Sequence, residues 1–134
     1  MNIYGIGIDI ISNERIKKEI KKNKKVINRI FSNNEIKKCN KTKNRINCLS
    51  KKYATKEAFV KAMGTGFSKG LSFNEITVLN DENGKPTINL SKNILKVVNK
   101  ILKTKNYKIF VSISDEKKIS IATVLITKWI KNFI

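Results

Sequence analysis

The sequence predicts an α+β fold, a mostly antiparallel sheet packed by helices, on a single domain spanning residues 1–134. Three observations carry that expectation. The chain opens on Ile3-Tyr4-Gly5-Ile6-Gly7-Ile8-Asp9-Ile10, where odd and even positions alike are apolar or glycine, as in a buried strand. Its middle carries apolar residues at helical spacing, bounded by capping residues. Its second half alternates with a period of two in short runs joined by polar turns, the pattern of antiparallel pairing.

The elements follow in order. Ser12 or Asn13 suits a helix N-cap, and Ile16, Ile20, Ile27 and Ile30 begin a helical series through very basic sequence. Ser32, three residues before Glu35, reads as a capping box that opens another short helix. Residues 40–47 form a polar connection. A helix then runs from about Leu49 to Met63 and stops at Gly64, with residues 64–70 as a flexible loop. Phe73 to Leu79 alternates as a strand, residues 80–86 turn, and Thr87 to Leu90 returns as its partner. Ser91 caps a helix carrying Ile94, Leu95, Val98, Ile101 and Leu102. Strands at Tyr107 to Ser114 and Ile119 to Thr127 flank the turn 115–118. No repeat, low-complexity linker or composition break asks for a second domain, and 134 residues is one domain's worth.

Composition narrows the chemistry. The 29 basic residues against 10 acidic give a formal charge of +19, and 26 of them are lysine, with arginine only at Arg15, Arg29 and Arg45. With 22 isoleucines and 17 asparagines, that surplus is also what an AT-rich genome writes, so the charge reflects either mutational bias or an anionic partner. Histidine is absent, which removes zinc-finger sites, Ser-His-Asp triads, Cys-His dyads and a histidine base. Cys39 and Cys48 lie in no CxxC pattern, and a reducing cytosol is the expected compartment. The N-terminus lacks a basic n-region and its apolar run is broken by Asp9, so it does not read as a signal peptide. No run approaches the length of a membrane span. Scarce arginine and 7% aromatics weigh against specific nucleic-acid recognition, although a basic nucleic-acid-binding module stays as the rival reading.

The segment Tyr53-Ala54-Thr55-Lys56-Glu57-Ala58-Phe59-Val60-Lys61-Ala62-Met63 holds the densest chemistry. At 100° per residue Leu49, Tyr53, Val60 and Met63 share one inward face, and Glu57 and Lys61 run along its edge. Glu57 and Lys61 are either an ordinary surface pair or part of a site. Lys56 falls in the middle of the apolar face, where its stem must be buried and its head must meet an anion. Asp9, near the end of an apolar strand, requires a cation, a metal, several donors, or a role capping the next helix. Gly5 and Gly7 form a GxG too short for a nucleotide fingerprint, and suit a bulge or a close backbone approach. Gly64-Thr65-Gly66 suits either phosphate wrapping or a plain C-cap and loop. Ser112 and Ser114 read as solvent-facing strand hydroxyls. The last stretch, residues 129–134, is amphipathic and suits docking on the body or on a partner subunit. Two carboxylates, Asp9 and Glu57, with lysines and glycine-rich backbone would suit a diphosphate held by Mg²⁺, which needs only one or two carboxylates besides phosphate oxygens and water.

These blocks carry a resemblance. GIGIDI with Arg15-Ile16 beyond it, then YATKEAFVKAMGTG, LSFNEITVLND with NGKP, and VSIS before an ATVLI strand resemble the holo-[acyl-carrier-protein] synthases, the small bacterial type of 4′-phosphopantetheinyl transferase. The match runs in order from residue 3 to about 127. It implies a 4′-phosphopantetheinyl transferase-like fold, a trimer with sites at subunit boundaries, and a cytoplasmic role in fatty acid biosynthesis. It also implies an activity: transfer of phosphopantetheine from coenzyme A to a serine of apo acyl carrier protein, releasing adenosine 3′,5′-bisphosphate. By position, Asp9 and Glu57 would hold Mg²⁺ with the coenzyme A diphosphate, and Lys61 would touch the same phosphates. Glu57 would accept the serine proton. Lys52, Lys56, Gly64 and Gly66 would lie near the nucleotide phosphates, and Lys85 and Pro86 near the adenosine. Arg15 and the basic helix after it resemble a docking surface for the acidic carrier protein.

One departure stands out: several members carry histidine after the serine of the VSI-S block, where this chain has Asp115. An aspartate does not engage a phosphate unless it is protonated or bridged by a metal, which admits an inactive, carrier-binding member as a further alternative. The tail beyond Thr127 inherits no role from the resemblance.

Overall fold

The computed structural model describes residues 1–66 and 70–129. Strand β1 (Asn2–Ser12) leads into helices α1 (Asn13–Lys22), α2 (Lys25–Ile30), α3 (Asn33–Asn40) and α4 (Arg45–Met63). A 3₁₀ turn (Phe73–Glu75) precedes the hairpin β2 (Ile76–Asn80) and β3 (Pro86–Leu90), then come α5 (Lys92–Leu102), β4 (Tyr107–Glu116) and β5 (Ile119–Lys128). The strands pair antiparallel as expected, but in two sheets: β1-β5-β4 and β2-β3.

The long helix α4 lies across one face of the larger sheet, and a glycine pair sets how close it comes. A Cβ on Gly7 would fall 1.9 Å from Ala58 O, and one on Gly5 would fall 2.0 Å from Ala62 O. The helix answers with alanines at 54, 58 and 62, one row at i, i+4, i+8 that is wholly buried. The GxG therefore serves backbone contact. Since side chains alternate along a strand, Asp9 continues the row of Gly5 and Gly7 on the side that α4 covers.

That same alternation corrects the expectation of a strand buried on both sides. Ile6, Ile8 and Ile10 are 60–66% exposed, because α4 covers only the face carrying the glycines. Ile3, 69% exposed, lies before a register shift that breaks the alternation between Ile3 and Gly5. The apolar run reads as continuous only because glycines fill one of its two faces.

Local signals place the remaining boundaries. Arg15 N donates to Ser12 Oγ at 3.0 Å and opens α1, while Asn13 is tied to the β4–β5 turn through Lys118 O. The basic series breaks into α1 and α2 rather than one helix. Both arms of the Ser32–Glu35 capping box form, and Glu35 is fully buried. Asn44 caps α4, so that helix starts four residues before the expected Leu49. Residues 73–75 turn before the strand starts at Ile76, and β4 continues through Glu116, leaving Lys117 and Lys118 as the turn. Cys39, in α3, and Cys48, in the first turn of α4, form a disulfide with Cα atoms 5.4 Å apart, a pairing that their spacing did not announce. Among the described residues no helix is long and apolar enough to cross a membrane. Trp129, half-exposed, lies under the Lys108 ammonium; residues 130–134 of the amphipathic stretch fall outside the described residues.

Candidate functional site

Tyr53, Glu57 and Lys61 stand at i, i+4 and i+8 on α4, one row along the helix, and Asp9 reaches that row from β1. Lys61 Nζ donates to Asp9 Oδ1 at 3.1 Å and to Ile8 O at 3.0 Å. The Lys61 side chain is 54% exposed and that of Asp9 16%, so this pair sits at the surface and not in the core. Asp9 has found a cation, one of the partners its position demanded. The partner of Lys61 is Asp9 rather than its own helix neighbour Glu57.

Glu57 is held from the other side. Tyr53 Oη donates to Glu57 Oε1 at 2.9 Å, and the Tyr53 ring meets Phe73 edge-on at 5.8 Å. Burial, the bond to Glu57 and its negative charge push the Tyr53 phenol up to about 12; Arg15 opposes that rise and Asp9 adds to it. The hydroxyl thus senses Glu57, Arg15 and Asp9 together, which brings the candidate metal ligands and the candidate docking arginine into one neighbourhood. Tyr53 was expected only as part of the inward face; its spacing of four from Glu57 was the signal for this contact.

The adjacent row of α4 does something different. Lys56 is fully buried, and its ammonium donates to Ile30 O at 2.6 Å, Phe73 O at 2.8 Å and Glu35 Oε1 at 2.5 Å. All three of its donors are occupied. The head does meet an anion, but that anion is Glu35, whose other oxygen accepts from Val78 N at 2.9 Å. The expected contact of Lys56 with a nucleotide phosphate is therefore corrected: this lysine ties α2, α3 and the Phe73 turn to α4. Burial lowers its pKa to about 8 against the raising effect of Glu35. One turn earlier Lys52 donates to Val78 O at 2.6 Å, and its pKa is also lowered, chiefly by burial.

Lys52 nevertheless borders a cleft of about 420 Å³ shared with Cys48, Lys51, Gly84, Pro86 and Asp115. Asn47 Nδ2 donates to Asp115 Oδ2 at 3.0 Å across that cleft. Lys85, between the lining residues Gly84 and Pro86, is exposed and is not itself part of the lining. Gly64 lies twelve residues further along α4, about 18 Å away at 1.5 Å per residue. Its N–H donates to Val60 O and Lys61 O, closing the helix in a left-handed conformation (φ 75°), so that N–H is not free to wrap a phosphate. Gly66 is exposed, with φ 59°. The expected residues thus fall into two groups within one chain: Asp9, Glu57 and Lys61 at the β1–α4 crossing, and Lys52, Pro86 and Asp115 around the cleft. Ser112 and Ser114 face solvent as anticipated.

The β1–α4 crossing offers hard oxygen donors. Among the described residues Asp9 Oδ2 and Glu57 Oε2 accept no hydrogen bond, while no cluster of three or more acidic, histidine or cysteine ligands forms. Such a set fits a divalent cation of the Mg²⁺ kind, which takes one or two carboxylates and completes its shell with phosphate and water.

Comparison with known proteins agrees with the fold. Residues 5–123 match the model of the 4′-phosphopantetheinyl transferase superfamily. The chain is 48% identical over 128 residues to a holo-[acyl-carrier-protein] synthase of Pelagibacter ubique, covering 96% of this chain and 99% of that one. The holo-[acyl-carrier-protein] synthase structure from Neisseria meningitidis superposes with a TM-score of 0.86 at 34% identity, covering 94% of this chain and 99% of the other. The Helicobacter pylori enzyme in complex with coenzyme A superposes with a TM-score of 0.76 at 32% identity, covering 91% and 99%.

Proposed function

The chain belongs to the 4′-phosphopantetheinyl transferase superfamily, and from that premise we propose that it moves 4′-phosphopantetheine from coenzyme A to a serine hydroxyl of an apo acyl carrier protein. The serine oxygen attacks the pantetheine-side phosphorus of the coenzyme A diphosphate. A new phosphodiester forms as the bond to adenosine 3′,5′-bisphosphate breaks. The observation that carries this reading is that Asp9 of β1 pairs with Lys61 on the same row of α4 that carries Glu57, one turn away.

Each residue has a role suited to its geometry. Asp9 and Glu57 would hold Mg²⁺ through the oxygens that face no protein donor. When bound, that ion neutralises the diphosphate and favours its attack by an alcohol. Lys61, with two donors spent on Asp9 and Ile8 O and its stem half in solvent, keeps a third for a phosphate oxygen and offsets charge on the departing group. Glu57, directly or through a water, accepts the serine proton. Lys52 and Pro86, with exposed Lys85 adjacent in sequence to Pro86, would flank the nucleoside end in the 420 Å³ cleft, where Asp115 stands instead of a phosphate donor.

Two features support a surface reading of the partners. Exposed Arg15, Lys17, Lys18, Lys21 and Lys22 make α1 a basic helix beside the crossing, which suits an acidic carrier protein. The row of bare isoleucines on β1 suits burial against further copies of the chain, in a homotrimer. A cytoplasmic location suits the reaction's substrates.

The test is direct. Incubation with coenzyme A, Mg²⁺ and apo carrier protein should raise the carrier's mass by about 340 Da, the phosphopantetheine increment, and Glu57→Gln should remove that gain. A carrier of unchanged mass would end the enzymatic reading.

A further inference from the structure

Glu57 is half-buried on the edge of α4, where the terminal torsion of a glutamate is broad and does not by itself fix which oxygen points outward. Here one oxygen is fixed. Tyr53, one turn earlier on the same row, donates to Oε1 at 2.9 Å, while Oε2 accepts no hydrogen bond among the described residues. The tyrosine is itself braced: its ring meets Phe73 at 5.8 Å with planes 87° apart, and the Phe73 carbonyl accepts from the buried ammonium of Lys56 at 2.8 Å. A buried ion pair, a backbone carbonyl, an aromatic contact and a hydroxyl thus lead in sequence from the core to one oxygen of Glu57.

We propose that Tyr53 is a positioning residue for the transfer reaction, engaging Glu57 Oε1 so that Oε2 is the oxygen presented to the divalent cation and the serine proton. The inference rests on the reading that Glu57 belongs to the reacting site. It adds a residue that touches neither substrate and acts through the orientation of its neighbour. A partner of this kind to a metal-binding carboxylate sets both the geometry of the ligand and its readiness to bind.

The isosteric Tyr53→Phe variant keeps the ring contact with Phe73 and deletes only the hydroxyl. Four quantities are read on the full chain: kcat, KM for coenzyme A, the affinity for Mn²⁺ with adenosine 3′,5′-bisphosphate present, and the thermal midpoint. Tyr53→Phe should lower kcat and weaken Mn²⁺ binding, each by about tenfold, with KM for coenzyme A within about twofold and an unchanged midpoint. Native kcat together with native Mn²⁺ affinity overturns the proposal. So does a fall in kcat that tracks the thermal midpoint while Mn²⁺ affinity stays native, since that is a structural effect. Glu57→Gln separates the two levels. If it is inactive while Tyr53→Phe behaves as native, only the positioning role fails; if Glu57→Gln keeps native activity, the reading of Glu57 itself fails and takes this proposal with it.

Discussion

Lys56 Nζ and Glu35 Oε1 lie 2.5 Å apart, and neither side chain reaches solvent. Three carbonyl or carboxylate oxygens surround the ammonium, and two backbone N–H groups reach the carboxylate, from Ser32 and Val78. Removing one partner leaves the other charged and buried, which costs about 3–5 kcal/mol. Lys56→Met should lose that much stability in urea unfolding. Lys56→Met with Glu35→Gln should recover about 1–2 kcal/mol of it, because the orphaned charge is gone. Strictly additive losses would show that the pair is not coupled.

The same lysine has a pH signature. Burial brings its pKa down to about 8 from the 10.5 of a free lysine. Between those values the unfolded chain binds more protons than the folded one, so this group adds stability as pH rises. The burden of burying the charge is present in full below about pH 8 and relieved between there and pH 10.5. At pH 9.5 the advantage of the native chain over Lys56→Met should exceed its value at pH 7.5 by about 2 kcal/mol. Urea titrations at the two pH values measure it. An advantage that stays flat or shrinks would contradict the direction given.

Gly7 tests how α4 meets the sheet. Its missing side chain lets Ala58 O approach to a point where a Cβ would lie 1.9 Å away, and the obstacle is backbone, which does not swing aside. Gly7→Ala should therefore cost about 3 kcal/mol, at the upper end of overpacking. It should also reduce activity more than stability, because pushing α4 outward separates Asp9 from Lys61. A melting curve and a transfer assay at a temperature where the variant is folded check both halves. Activity equal to the native chain would show that the crossing tolerates the shift.

Much of this was legible in the chain, and the gaps have physical causes. The capping box at Ser32 and Glu35, the C-cap at Gly64 and the Ser91 cap are local hydrogen-bond patterns, so a few residues of sequence suffice to see them. The GxG was readable as a bulge or a close backbone approach, and the packing of α4 onto Gly5 and Gly7 shows the approach. That Lys56 needed an anion followed from its place on an apolar face. Which anion it met did not, because Glu35 lies 21 residues away on another helix and only tertiary packing brings it there. The bare isoleucines were hidden by the glycines opposite them, which make a one-sided strand look two-sided. The Tyr53–Glu57 contact was available from spacing, but a tyrosine on an apolar stripe reads first as core.

The bare face of β1 makes a prediction about assembly. Ile6, Ile8 and Ile10, each at least 60% exposed, form a row that water penalises by about 25 cal/mol per Å². Sedimentation should find the native chain as a trimer. Ile8→Lys, which puts a charge in the middle of the row, should yield a monomer with a native-like spectrum. A native chain that sediments as a monomer at micromolar concentration would remove the trimer and leave the face for another partner.

Charge gives the last prediction. Residues 12–52 hold 15 basic and three acidic side chains, a net +12 of the whole chain's +19. Compositional bias toward lysine accounts for residue type and for scattered surface charge, yet it does not concentrate charge on one segment. In the fold that segment includes α1, which exposes Arg15, Lys17 and Lys18 and whose Arg15 is near enough to act on the Tyr53 hydroxyl beside Glu57. An acidic protein approaching such a surface is steered by long-range attraction, which salt shortens from about 10 Å at 0.1 M to about 3 Å at 1 M. Raising ionic strength from about 0.05 to 0.5 M should raise KM for the carrier protein by about tenfold while kcat changes little. Arg15→Glu should raise KM at low salt and flatten the slope, since fewer cations remain to be screened. If KM for the carrier does not respond to salt, the concentration of lysines here has no bearing on the partner, and composition alone explains it.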